Sequence, residues 1–536
     1  DDTTGWRAVE THLHAVASYA DGCGAVYAEE EAMQLEGRDG DGEEGGGGGA
    51  LLSALEHCCV VHVNRHVRAA GIAVLDRMVQ SASRGAGGRS ILLDANGELR
   101  GTVMAVLKET LADNWSQVRM AASVLCRTFL VSLTAAAAAA AKEGGSGGEA
   151  VEEDPLVPLL PVLLPRMCLN RFYLAQGVKL YSHDTWRIVF PPGGKRSGLE
   201  AVADCAGAVC RYYVKMCDAD NHVVREAACQ AVAELASKIG SHPLHSASLS
   251  NFVPLLLQAL LTCFHDESWP VRDEACLACG TFCVAYPEEC RPELDVLFGR
   301  WTEQLTDQIW SVREDAAVAL GDAVVAYGAE MHERVLGVLR DAIPGARRQA
   351  PMSREEYKRR QNDIEAHSDG QLYSCGSLAP KLKKGSAIGR DAPGKGRIGC
   401  GNCEVDRPRQ EWERTDGSVY LLREVVARCC AGEVRDAELT DEVLLPLMTD
   451  LEDSCRLRHY PQSDDLRATL WRQLPAIARS LGRARFKRRY LQLFLDTLMT
   501  NLDGRNANGA SQLSVHAAGQ CAEELANLVG AGIFRG

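Results

Sequence analysis

Aromatic residues are scarce: Phe, Tyr and Trp together make up 6% of the 536 residues. β-Sandwiches and barrels draw on aromatic and β-branched side chains, so this shortage, beside a 46% hydrophobic content rich in Ala, Val and Leu, favours helices. Basic charge is in deficit as well, with 58 Lys and Arg against 72 Asp and Glu, a net charge of −14 and a pI near 5.6. Neutralising a phosphate backbone needs the opposite balance, which excludes the whole chain as a nucleic-acid binder. No run of about 20 apolar residues is expected, the best candidate, PLVPLLPVLLP at Pro155–Pro165, being short and broken by prolines. The N-terminus has no charged segment leading into an apolar stretch, as a secretory leader would. Its first residues, DDTTGW, lack an initiator Met, which reads as a piece of a longer protein. These absences point to a soluble chain in a reducing compartment, the cytoplasm first and the nucleus second, with neither membrane nor nucleic acid as partner.

Cysteine is not scarce. Twenty-one cysteines in so long a chain do not form the framework of a small secreted domain, and they sit inside apolar helical runs. Low-complexity stretches punctuate the sequence. Loops rich in Gly and Ala are expected at 36–50 and 134–154, and an irregular, basic Gly/Lys-rich insert at 344–413. The expected organisation is therefore an N-terminal helical array (1–343), the insert, and C-terminal helix pairs (414–536).

Between the breaks, apolar residues recur at helical spacing in paired segments. Asn251–Phe264 reads as one helix, His265–Pro270 as a turn, and Val271–Tyr286 as a second helix. The unit recurs at Pro292–Thr306, Asp307–Trp310 and Ser311–Tyr327. DESWPVRDEACLACG, from Asp266, aligns without a gap to DQIWSVREDAAVALG, from Asp307, 41 residues later. Further Val-Arg pairs stand at Val67-Arg68, Val118-Arg119 and Val224-Arg225, with a degenerate Leu466-Arg467. Two helices every 40–50 residues are the mark of a helical solenoid.

A helix, a short turn with Asp, and Val-Arg opening a second helix resemble the HEAT-repeat family, an armadillo-like class of helical solenoids. The resemblance implies an all-α, right-handed α-solenoid of roughly eight or nine antiparallel helix pairs. It also implies a polar ladder between repeats, with Asp113, Asp266 and Asp307 as the acids and Arg68, Arg119, Arg225, Arg272 and Arg313 as the bases. The tubulin-binding TOG domains use Trp and basic residues in such turns. Trp115, Trp269 and Trp310 are accordingly candidate partner-binding residues, since Trp is favoured at binding hot spots; packing over the adjacent turn is the structural alternative.

Reactive chemistry fares poorly. Cys276, Cys279 and Cys283 share one helix face and align with Ala317, Leu320 and Val324, which are core positions. Cys58, His62 and His66 are four apart, but a turn is expected between them and no fourth ligand is evident. Gly389–Gly396 fits G-x-x-x-x-G-K without the Ser/Thr that binds Mg²⁺. In the insert, Cys400 and Cys403, joined by Cys375 and His367, are spaced as a structural zinc site, against an unstructured linker as the alternative. Of two basic clusters, Lys358–Lys384 has the composition of a nuclear localisation signal or an acidic-partner contact, and Arg483–Arg489 that of a solvated helix face. The chain thus reads as a non-enzymatic scaffold that binds other proteins and needs no cofactor or small-molecule substrate. An importin-like transport receptor and a TOG-like tubulin-binding module are the finer alternatives.

Overall fold

The structure is a computed structural model; it describes residues 5–36, 47–84, 91–143, 154–194, 196–356, 409–502, 511–530 and 532. Among these residues every regular element is a helix. The chain divides into two units, 1–216 and 217–536.

The first unit holds α1 (Trp6–Glu36), α2 (Gly47–Glu56), α3 (Arg65–Arg84), α4 (Glu98–Thr110), α5 (Ser116–Glu143), α6 (Leu160–Asn170), α7 (Gln176–Val189), α8 (Gly198–Asp204) and α9 (Ala206–Met216). In the second unit follow α10 (His222–Glu234), α11 (Val253–Cys263), α12 (Trp269–Ala285), α13 (Leu294–Gln304), α14 (Trp310–Tyr327), α15 (Ala329–Ala342) and α16 (Glu411–Cys430). It ends with α17 (Asp441–Arg456), α18 (Ser463–Leu481), α19 (Arg483–Arg489), α20 (Leu491–Leu502) and α21 (Gln512–Val529).

Each unit is a stack of helix pairs, the arrangement of an α-solenoid. The second helices of successive pairs lie side by side: α3, α5 and α7 in one unit, and α10, α12, α14, α16, α18 and α21 in the other. Small residues allow the close approach. At Gly280 on α12 an added Cβ would sit 2.9 Å from the Ala319 Cα of α14, and at Gly417 on α16 it would run into the Leu305 carbonyl. The core between layers is aliphatic, with Val271, Ala275, Leu320 and Val324 fully buried. Cys276, Cys279 and Cys283 lie in it as well, each 0% exposed, so they act as small apolar side chains.

Three sequence expectations need correction. The alanine run does not belong to a loop at 134–154, because α5 continues to Glu143; Ala is the strongest helix former and needs no tertiary support to extend a helix already begun. The insert is narrower than 344–413. Ile343–Arg348 forms a 3₁₀ turn whose Ala346 N–H donates to Thr415 Oγ1 at 2.8 Å, Met352 N–H donates to His459 O at 3.1 Å, and α16 begins at Glu411. Among the described residues one helix is long and apolar enough to cross a membrane: Ser116–Lys142 within α5, with a mean hydropathy of 1.7. The expectation of no such stretch overlooked alanine's contribution. In the fold Val118, Leu125, Phe129 and Leu133 of α5 are fully buried, and Arg119 and Arg127 bond to neighbouring helices, which is the pattern of a core helix.

Candidate interaction surface

Three of the turns between the helices of a pair are built the same way. An Asp side chain accepts from the N–H two residues on: Asp113 from Trp115 at 2.8 Å, Asp266 from Ser268 at 2.9 Å and Asp307 from Ile309 at 2.9 Å. This satisfies an orphan donor where the second helix starts. The Arg that follows folds back onto the carbonyl six residues upstream: Arg119 to Asp113 O, Arg272 to Asp266 O and Arg313 to Asp307 O, at 2.7–2.9 Å. Its other nitrogens reach forward to the next pair.

Arg225 grips Asp266 with two bonds, at 2.6 and 2.7 Å, and Arg272 grips Asp307 with two at 3.1 Å. Arg68 reaches Asp113 at 3.2 Å. Each acid thus does two jobs, capping its own helix and receiving the preceding repeat's cation. Two rungs have partners that motif reasoning missed. Arg119 finds Tyr173 at the Asp position, so its guanidinium lies 4.1 Å from the ring centroid and donates to Asn170 Oδ1 at 2.6 Å. Arg313 is joined to Asp416, a residue inside α16 and 103 positions away, at 2.9 Å. No turn motif marks Asp416, which lies inside a helix with several other charged residues and is 1% exposed. Leu466-Arg467 departs from the pattern: Arg467 pairs with Asp464 of its own helix and bonds the carbonyls of Cys455 and Leu457.

A second rung runs beneath the first. The residue three before the Asp position donates to a carbonyl of the preceding turn: Asn170 Nδ2 to Leu111 O at 3.2 Å, and Gln304 Nε2 to Phe264 O at 2.6 Å. Between Cys263 and Cys217 the same place is taken by a thiol, at 3.5 Å. The sulfurs of Cys217, Cys229 and Cys263 all lie within 4.8 Å of one another and are buried. Hydrogen bonds within this trio lower the Cys263 pKa and raise that of Cys229.

The ladder is structural, and the accessible chemistry lies outside it. Trp115, Trp269 and Trp310 are 40%, 36% and 60% exposed, large values for so apolar a side chain. Trp269 and Trp310 are the first residues of α12 and α14 and not turn residues, whereas Trp115 immediately precedes α5. Trp115 carries the Arg65 guanidinium over its ring at 4.4 Å.

Carboxylates gather in the seams where successive second helices pack side by side, and Asp273 there is only 7% exposed. Asp273, on α12, accepts from Ser311 Oγ at 2.8 Å, and burial together with Asp315 pushes its pKa up to about 8. Burial, Glu274 and Glu314 raise Asp315 to about 7; burial, opposed by Arg428 and aided by Glu424, raises Asp322 to about 6. Arg423 and Arg428 of α16 offset part of this charge, bonding Glu314 at 2.6 Å and Asp322 at 2.8 Å.

The remaining candidates stand apart. Cys58 lies in the His57–Val61 turn, His62 Nδ1 accepts from Asn64 N–H at 3.0 Å, and His66 stacks on Trp6, so the three are not gathered as ligands. His367, Cys375, Cys400 and Cys403 lie outside the described residues, as do Gly389–Gly396 and the Lys358–Lys384 cluster. In α19, Phe486 is buried while Arg483, Lys487, Arg488 and Arg489 are exposed.

Against known proteins, residues 256–286 match the HEAT repeat family model. They cover most of α11, the Asp266 turn and α12, and the Asp307 turn with α14 repeats the same unit directly after them. No curated protein sequence matches the chain. Among solved structures, yeast importin-beta (Kap95p) superposes with a TM-score of 0.36 and 12% identity over 91% of this chain and 59% of that one. The karyopherin Kap121p, bound to the extreme C-terminus of the phosphatase Cdc14p, gives 0.37 and 10% over 90% and 42%. An engineered protein gives 0.30 and 13% over 89% and 98%. The chain therefore spans about 59% of the length of yeast importin-beta, and superpositions this loose fix no partner.

Proposed function

We propose that this protein is a non-enzymatic scaffold that binds other proteins, with the edge bearing Trp269 and Trp310 as a primary contact. The observation that carries this reading is the repeated exposure of Trp at the first position of two adjacent second helices, in a chain with only 8 Trp. Exposed aromatic anchors are enriched at protein interfaces and their hot spots. Importin-like carriage and tubulin binding are finer versions of the same function, in the cytoplasm or nucleus.

The test is affinity capture from cells, with partners identified by mass spectrometry, comparing the parent with Trp269→Ala/Trp310→Ala. Loss of a defined set of partners with unchanged helicity supports the reading. Identical partner sets overturn the tryptophan assignment. Co-sedimentation with tubulin, abolished in the double variant, singles out the tubulin-binding version.

A further inference from the structure

We propose that Cys217, Cys229 and Cys263 form a binding site for a soft, thiophilic d¹⁰ metal ion. The three come from separate places: Cys217 directly follows α9, Cys229 lies within α10 and Cys263 ends α11. They are 2%, 0% and 2% exposed, and all pairs of sulfurs are within 4.8 Å. Three thiolates on one ion with metal–sulfur bonds near 2.3 Å stand about 4 Å apart, so rotamer adjustments of less than about 1 Å complete the set.

Comparison of the repeats sets this trio apart. The same three positions are Leu111, Ser123 and Asn170 in the first unit, and Phe264, Cys276 and Gln304 one repeat later. There an apolar side chain, a small one and an amide fill the place, and the amide satisfies the carbonyl of the preceding turn at 3.2 or 2.6 Å. Here that donor is replaced by a thiol, a weak one at 3.5 Å, and both companions are thiols too. A repeat that gives up its interlocking amide for a third convergent sulfur is shaped for a ligand as well as for packing.

The donor set names the class. Sulfur-only coordination selects Cu(I) or Zn(II) over Ca²⁺, Mg²⁺ or Mn²⁺, which require oxygen. No fourth His, Cys, Asp or Glu joins the group among the described residues, which suits three-coordinate Cu(I) better than a four-coordinate structural zinc. Binding converts S–H groups to metal-bound thiolates and releases their protons to solvent. Arg225, one turn before Cys229 on α10, is a buried cation already paired with Asp266, so both charges border the trio.

The experiment uses the reduced, full-length protein, titrated anaerobically with Cu(I) against a chromogenic chelator and separately with Zn(II). Two variants copy the sister interfaces and so retain packing: Cys229→Ala takes the residue of Ala317, and Cys263→Asn that of Asn170. We expect the parent to take up one more equivalent of Cu(I) or Zn(II) than the double variant, and each single variant to bind that equivalent at least 10-fold more weakly. Cys276→Ala, a buried thiol outside the trio, should leave it unchanged. Equal uptake by the parent and the folded variants, or loss in Cys276→Ala alone, overturns the assignment. Thermal unfolding checks folding, with a metal-dependent rise in Tm expected in the parent and Cys276→Ala only.

Discussion

The Asp266→Ala substitution probes the ladder most sharply. Arg225 and Asp266 have side chains only 6% exposed, and two bonds of 2.6 and 2.7 Å join them. Arg225 is also held by the carbonyls of Ala219 and Asp220, at 2.9 and 3.0 Å, so its guanidinium cannot swing out to water without breaking those bonds. Removing the acid strands a buried charge, at about 3–5 kcal/mol. Losing the bond to the Ser268 N–H adds about 1 kcal/mol. The sum, about 4–6 kcal/mol, falls on the contact between α10 and α12. Asp113→Ala provides the scale: its rung is one 3.2 Å contact, with side chains 15% and 13% exposed, and it should cost about 1–2 kcal/mol. Because stacked repeats can unfold piecewise, urea melts should be paired with native-state hydrogen exchange. Asp266→Ala should speed exchange first in α10 and α12. Arg225→Met/Asp266→Leu should recover much of the loss, since an apolar pair leaves no charge behind. A loss below about 1 kcal/mol for Asp266→Ala, or a double variant no better than the single, would refute the view that these rungs hold the repeats together.

Gly417→Ala should destabilise by about 1–3 kcal/mol, because the added methyl meets the Leu305 backbone; an unchanged Tm would show that α16 can move away. The raised carboxyl pKa values give a pH dependence of definite sign. In the native state Asp273, Asp315 and Asp322 hold protons up to about pH 8, 7 and 6, whereas unfolded they release them near 3.8. The folded chain therefore binds more protons across that window, and these groups make stability fall as pH rises from about 4 to 8. Asp273→Asn should raise Tm at pH 8 and leave it nearly unchanged at pH 4, as thermal scans at both pH values would show; equal shifts at the two would disprove the assignment.

The helix pairs were legible because the signals that specify them are local. Apolar spacing, Asp two residues before an exposed turn end, and Val-Arg at a fixed offset all fall within one window of about 15 residues. The burial of Cys276, Cys279 and Cys283 followed from the same alignment. What escaped depends on distance. Asp416 meets Arg313 across 103 residues and from inside a helix, so no turn signature announces it. Tyr173 at an Asp position reads as a broken motif until the Arg119 cation is seen against its ring. The thiol trio joins three elements, and no stretch of sequence holds all three cysteines in one pattern. The alanines at 135–141 in α5 mislead for the opposite reason, as low complexity looks like a linker although alanine's propensity is helical.

The rungs also give the array a sense of direction. Arg68, Arg225 and Arg272 each reach from their own repeat to the Asp of the following turn, and Asp113, Asp266 and Asp307 each have a second bond, to the helix they cap. A fragment trimmed from its N-terminal side at a repeat boundary keeps an Asp still engaged in capping. A fragment cut from its C-terminal side, between Tyr286 and Asp307, leaves the Arg272 guanidinium with backbone carbonyls and no counter-charge. Nested deletions from the two ends should therefore differ in solubility and cooperativity even when equal numbers of helices are removed, with shortening from the C-terminal side the more damaging.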